Sequence, residues 1–483
     1  MVCAEYEAPK SDGCRLECIC RSCISRSSAA HPRRRYPFVA GCATLRSHAR
    51  LRKCLSLCIV TLITTSAAGS GVLEVCPNCP LRTLEQALPR AKPGDTILLA
   101  PGHYPKTHVV ITVPVTILGT GRPVLDGGSQ GTIITVQCGN VHLHGMKFAN
   151  TGYSSLEEYA AIKLENAPGC TIGDVETENC AFGIACYHSP GTTIENATCR
   201  GTGAVESLSG NGVHLWKSPG CSIERCTVSN HRDGLYFEFS SGCRIEGNES
   251  SYNMRYGLHF MFSDSNIYRG NVFHHNGAGV AVMYSRFVRM ESNAFRDNWG
   301  PSSYGLLLKD ISGSIVCGNV FEQNTAGIYM EGSDNTSVVS NTFRSNGWAL
   351  KLFGSSVGVH LAKNTFIANT FDVLSNASQS SVVCRENYWD HYRGYDLDRD
   401  GYGDTPYRPV SLFSILIERV PTAILLLRSF IVELLAYMER AIPSMIPPTI
   451  EDGRPRMKPY ASAAHATMPG INSRRPQRCD DIN

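Results

Sequence analysis

Net charge is almost missing from this chain: 45 Lys and Arg stand against 42 Asp and Glu, a formal +3 over 483 residues. No basic stripe accompanies that small excess, which argues against nucleic acid as a partner. Helical periodicity is missing from residues 211–369, so no helical solenoid runs through them. A membrane span is missing too. The most apolar stretch, 411–446, is interrupted by Glu418, Arg419, Arg428, Glu433, Glu439 and Arg440, too often for a helix in hydrocarbon.

What is present instead is a tandem array over 211–369 with a unit of about 22 residues, a period that marks a solenoid. One Asn column holds Asn248, Asn271, Asn293, Asn319, Asn341, Asn364 and Asn387. Two residues after all but the first sits an aromatic: Phe273, Phe295, Phe321, Phe343, Phe366 or Trp389. A second Asn column holds Asn253, Asn276, Asn298, Asn324, Asn346 and Asn369. Apolar residues alternate within a unit, as in Leu258, Phe260 and Phe262, which is strand periodicity. Short strands joined by Gly, Asn, Ser and Asp turns wind into stacked parallel sheets, with like residues about 4.7–4.9 Å apart from rung to rung. The expected fold is all-β: a right-handed parallel β-helix, a solenoid of the pectate-lyase type, with an N-terminal cap and C-terminal helices. A leucine-rich horseshoe would need Leu columns where these are Asn and Phe.

The expected organisation follows the chain. Arg46, Arg50, Arg52 and Lys53 precede an apolar Cys54–Ile63 and the small residues Ser66, Ala67 and Ala68, so 46–68 reads as a secretory signal. Residues 1–45 carry scattered Cys and Arg without periodicity and read as an extension outside the mature protein. A cap is expected over 69–102, the β-helix over 103–392, an Asp-rich loop over 393–410, amphipathic helices over 411–447 broken at Pro421 and Pro443, and a flexible tail over 448–483. Thr151–Tyr159 and Gly201–Gly210 break the period and are expected to project as loops.

Cysteine is plentiful. Eight of the 21 precede the cleavage site, and the thirteen that remain cannot all pair within the chain. Cys76 and Cys79 suit a short-loop disulfide better than a lone metal or redox pair. Cys221 and Cys243 share a column on adjacent rungs, where a buried thiol stack is favoured over a disulfide.

Two patterns carry metal chemistry. Counting from the repeat glycine, the second and fourth positions of a unit should face solvent. The fourth-position column then sets Met261 beside Met283, with His259 two residues from Met261 and Glu238 one rung away. Thioethers with an imidazole suit Cu(I); an apolar docking stripe that also uses Trp216 and Phe353 is the competing reading. His274-His275 is a weaker ligand pair, because neighbours on a strand point opposite ways. Further on, Asp396-x-Asp398-x-Asp400-Gly401-x-x-Asp404 offers alternate carboxylates and a glycine turn, a pattern that suits Ca²⁺. Tyr407 stands where an EF-hand would place its Glu. Polysaccharide-cleaving β-helices need carboxylates clustered on one outer face. Glu238 and Glu331 are separated by three intervening rungs, and neither a paired-Asp strand nor Gly-His-Gly occurs. The chain is therefore not expected to be an enzyme, with a carbohydrate-binding or carbohydrate-cleaving β-helix as the alternative.

Several longer stretches resemble the NosD family, the periplasmic accessory proteins of nitrous-oxide reductase maturation. They include Arg255-Tyr-Gly-Leu-His-Phe-Met, Gly277-Ala-Gly-Val-Ala-Val-Met-Tyr-Ser-Arg, Asn387-Tyr-Trp-Asp and Tyr395-Asp-Leu-Asp-Arg-Asp-Gly-Tyr-Gly-Asp-Thr-Pro-Tyr-Arg-Pro, and the resemblance extends from about Leu81 to Tyr460. It implies a periplasmic β-helix, peripheral to the membrane, that works with an ABC transporter permease and its cytoplasmic ATPase. It also implies nitrous-oxide reductase and a copper-chaperone lipoprotein as partners, copper as the metal handled, and Leu412–Met445 as the segment that engages the permease. The assignment of copper to Met261, Met283 and His259 comes from rung position, not from the family. The 1–45 extension and the Cys content, including Cys76 and Cys79, depart from the family pattern.

Overall fold

The computed structural model describes residues 71–203, 205–353, 355–376, 382–442 and 450–460. The expected extension and signal over 1–68 lie outside the described residues. Three parallel sheets of 14, 13 and 12 strands wind around one bore as a right-handed β-helix of about 14 turns. The first sheet begins with Val72–Val75 and Thr96–Leu99 and ends with Val382–Arg385. The second runs from His103–Pro105 to Tyr388–Trp389, and the third from Val109–Ile111 to Phe371–Ser375. A short helix, Leu84–Ala87, lies between the first two strands of the first sheet. The Cys76–Cys79 disulfide closes the turn just before it. Cys221 and Cys243 are buried free thiols that both donate to the Ser218 carbonyl, at 3.3 and 3.7 Å.

The columns explain why the coil repeats. Asn293 donates from its backbone N–H and from Nδ2 to Asn319 Oδ1, at 2.8 and 3.0 Å. Asn319 makes the same two bonds to Asn341, at 2.9 and 3.0 Å. Each amide therefore satisfies a buried corner that the sheets leave open. The corner itself turns on one left-handed residue before each Asn: Gly318 at φ 65°, Ser340 at 57° and Lys363 at 56°. Inside the bore Phe295, Phe321, Phe343 and Phe366 stack with centroids 4.6–4.9 Å apart, and Trp389 closes the stack at 4.1 Å. Each such ring removed from water contributes roughly 1.5–3 kcal/mol.

After the coil come helices Leu412–Arg419 and Phe430–Ala441, joined by a 3₁₀ turn at Pro421–Leu426. Ser411 caps the first, its hydroxyl accepting the Ser414 N–H at 3.1 Å. Phe413 and Ile417 bury against Phe371 of the last strand of the third sheet. No helix among the described residues is long and apolar enough to cross a membrane. The stretch 448–483, read from its polarity as a tail, opens with a strap. Residues 450–460 bridge Cys384 through Asp452, and both Tyr388 and Tyr402 through Arg456. Its polar groups serve the end of the coil, whose last rung offers unpaired backbone groups.

Candidate functional site

Met261 and Met283 end consecutive strands of the third sheet, Tyr256–Met261 and Ala278–Met283, and are partners in register. Both are half-buried on the outer face, as fourth-position residues should be. The rung before contributes Glu238 and the rung after Lys309. The Tyr236 hydroxyl reaches both Glu238 Oε2, at 3.2 Å, and Met261 Sδ, at 3.5 Å. Burial, reinforced by Glu238, pushes the Tyr236 pKa up, so the phenol stays protonated and donates.

The second-position column departs from expectation. His259 is 3% exposed and His214 5%, with Ala281 and Leu307 also buried. Their side chains do leave the bore, but rings from neighbouring residues roof them. His259 lies between Tyr236, at 5.0 Å, and Tyr256, at 4.7 Å. Alternation sets which face a residue takes; the bulky residue before the repeat glycine decides whether that face is wet. His259 makes one charged approach, Nδ1 to Asp233 Oδ2 at 3.8 Å. Neither of its ring nitrogens has a hydrogen-bond partner among the described residues. An imidazole with unsatisfied nitrogens two residues from a thioether fits a soft cation, since neutral imidazole and thioether are its ligands. His214 is also orphaned, and desolvation holds its pKa down at about 4 although Glu158 lies 4.0 Å away.

Sequence reasoning missed the aromatic edge beside this column. Phe239, Phe262 and Tyr284 each follow a fourth-position residue, sit at φ of 50°, 49° and 51°, and stack at 5.2 and 5.1 Å while 43–46% exposed. Bulky side chains are rarely left in that backbone region. Next to Phe262 and Tyr284 opens a cleft of about 640 Å³ lined also by Asp264, Arg286, Asp310 and Asp334. The signal was an aromatic in three consecutive units just past the Met column.

His274 and His275, expected to diverge, converge with Nδ1 atoms 2.9 Å apart, because His275 turns at φ 54° and breaks the strand alternation. In the Asp-rich loop, Asp396, Asp398 and Asp400 place ligand atoms within 4.8 Å of one another. The N–H groups of Asp400 and Gly401 turn onto Asp396, at 3.2 and 3.0 Å. Asp404 stands apart from the trio and accepts the Leu397 N–H at 2.6 Å. Arg454 Nη2 lies 2.6 Å from Asp400 Oδ2. That contact, with the Tyr402 N–H, holds the Asp400 pKa down.

The family model described as "Periplasmic copper-binding protein (NosD)" matches residues 198–397, the range that holds the rungs of His259, Met261 and Met283. A probable ABC transporter binding protein NosD of Pseudomonas aeruginosa is 29% identical over 422 residues, 81% of this chain and 97% of that one. One of the same description from Stutzerimonas stutzeri is 35% identical over 116 residues, 22% of this chain and 27% of that one. Among solved structures, the catalytic unit of an α-1,3-glucanase from Streptomyces thermodiastaticus shares the fold, with TM-score 0.51 at 14% identity over 63% of this chain and 65% of that one. The likeness to a carbohydrate enzyme reaches the coil alone, whereas the sequence matches run through its columns and turns, and in sequence the chain is similar to the NosD family.

Proposed function

We propose that this chain is a periplasmic accessory protein that handles Cu(I) during maturation of nitrous-oxide reductase, acting beside an ABC transporter. The observation that carries the reading is the register pair Met261–Met283 with orphaned His259 on the same face. Two thioethers and an imidazole form a soft ligand set that suits Cu(I) over harder ions. Copper is then cargo, and the chain needs no catalytic group.

The C-terminal helices support the transporter part. Leu425, Phe430, Ile431 and Tyr437 are 88%, 76%, 56% and 65% exposed, an apolar surface that suits a protein partner such as the permease. The expected further partners, the reductase and a copper-chaperone lipoprotein, belong to the same proposal. Ca²⁺ at Asp396, Asp398 and Asp400 is a separate, structural proposal. The test of the copper reading is a Cu(I) competition titration of the wild type beside Met261→Leu/Met283→Leu.

A second reading has its own observation. Exposed stacked rings beside an acidic cleft suit a sugar ring, which binds aromatic faces and hydrogen-bonds to carboxylates. Under it, Phe262→Ala would abolish retention of the chain on acidic or neutral polysaccharides in affinity electrophoresis and leave Cu(I) binding intact.

A further inference from the structure

At its C-terminal end the coil gathers three side chains that neither the Asn ladder nor the methionine pair uses. Asp372 lies in the last strand of the third sheet, Phe371–Ser375, while Asp390 and His391 follow the last strand of the second, Tyr388–Trp389. One ligand atom from each lies within 4.8 Å of the other two. His391 Nδ1 is 3.1 Å from Asp372 Oδ2 and 3.3 Å from Asp390 Oδ1.

The protein groups around them do not complete the site. Asp372 is 4% exposed, yet its Oδ1 has no hydrogen-bond partner among the described residues, and neither does Asp390 Oδ1. The Tyr407 hydroxyl reaches only Asp372 Oδ2, at 3.4 Å, and the Ala368 N–H only Asp390 Oδ2, at 2.5 Å. His391 Nδ1 carries at most one proton, and oxygens of two carboxylates face it. Leaving a buried carboxylate oxygen without a partner is costly. A cation in place of that proton would be met by an oxygen of each carboxylate and by the nitrogen lone pair.

We propose that Asp372, Asp390 and His391 bind one divalent cation of the zinc class through two carboxylate oxygens and an imidazole nitrogen. Zn²⁺ takes this mixed oxygen and nitrogen set, and the imidazole favours it over Ca²⁺ or Mg²⁺. The open side of the site is that of His391, whose side chain is 52% exposed. The bound ion would tie the last strand of one sheet to the exit of another, at the base of the helices. Phe371, the neighbour of Asp372, is the ring on which Phe413 packs, at 6.1 Å. The ion is thus a clamp for the C-terminal platform. It has no donor in common with the methionine pair, and its case is independent of the copper reading.

The test uses the purified full chain, stripped with a chelator and titrated with Zn²⁺ by calorimetry and with Co²⁺ by visible absorption. His391→Ala removes a half-exposed ring and keeps the packed core; matching metal-free melting curves would verify this. The wild type is expected to take up one equivalent of Zn²⁺ that His391→Ala binds at least about tenfold more weakly, with the Co²⁺ d–d bands lost in parallel. Asp398→Asn and Met261→Leu/Met283→Leu should retain that equivalent. Equal uptake by wild type and His391→Ala, or none by the wild type, would overturn the proposal and leave the trio as a closed Asp–His ion pair.

Discussion

Asn387 ends its column on Asp452. Its backbone N–H and its Nδ2 both donate to Asp452 Oδ2, each at 3.0 Å, where Asn364 makes the same pair of bonds to Asn387 Oδ1 at 2.9 Å. A carboxylate 65 residues downstream thus stands in for the next rung. It also accepts Trp389 Nε1 at 3.0 Å and the Glu386 N–H at 3.1 Å, so one side chain terminates both the amide ladder and the aromatic stack.

Asp452→Ala should therefore be among the most damaging single changes at this end. It leaves several buried donors unsatisfied at about 1–3 kcal/mol each, and a loss of at least about 3 kcal/mol is expected in urea melts. Asp452→Asn keeps one acceptor for the column but turns an NH₂ toward the N–H groups of Glu386 and Arg454, so it should recover only part of that loss. Wild-type stability in the Ala variant would contradict the terminator role.

Acid should destabilise the coil through its buried histidines. Desolvation holds His214 and His231 at a pKa of about 4, below the usual value near 6.5. The unfolded chain protonates them as pH falls through about 6.5, while the folded chain keeps them neutral until about 4. Their contribution is full above about pH 6.5 and is lost on the way down, at roughly 1.4 kcal/mol per pH unit for each histidine. Melts of His231→Gln against wild type across that window should show a shallower pH dependence, by about one proton; parallel curves would refute the assignment.

For the Asp-rich loop, Arg454 already supplies positive charge to Asp400. If Asp396, Asp398 and Asp400 take Ca²⁺, the ion competes with that guanidinium. Arg454→Gln should then bind Ca²⁺ several-fold more tightly than wild type, and Asp398→Asn should lose binding, as read by calorimetry. An Arg454→Gln variant with unchanged or weaker affinity would assign the loop to the Arg454 ion pair alone.

The Asn and Phe columns were legible because a solenoid stacks like on like, so each contact repeats in the sequence at the period of the coil. Face assignment was legible by alternation, and it placed Met261 beside Met283 correctly. Wetness was not, because the roof over His259 comes from Tyr236 and Tyr256, one on the preceding rung and one outside the counted positions. Asp452 was hidden for the opposite reason: it completes a column without belonging to its period. Asp372, Asp390 and His391 meet only where two sheets end together, which no repeat could announce.

The most direct measurement of the central claim is the Cu(I) competition titration of the wild-type chain beside Met261→Leu/Met283→Leu, with melting curves to show that both are folded. The account expects about one Cu(I) in the wild type and its loss in the double variant, since leucine keeps the volume and removes both thioethers. Equal binding by the two, or none by either, would contradict a copper site at this pair and make the column a docking surface.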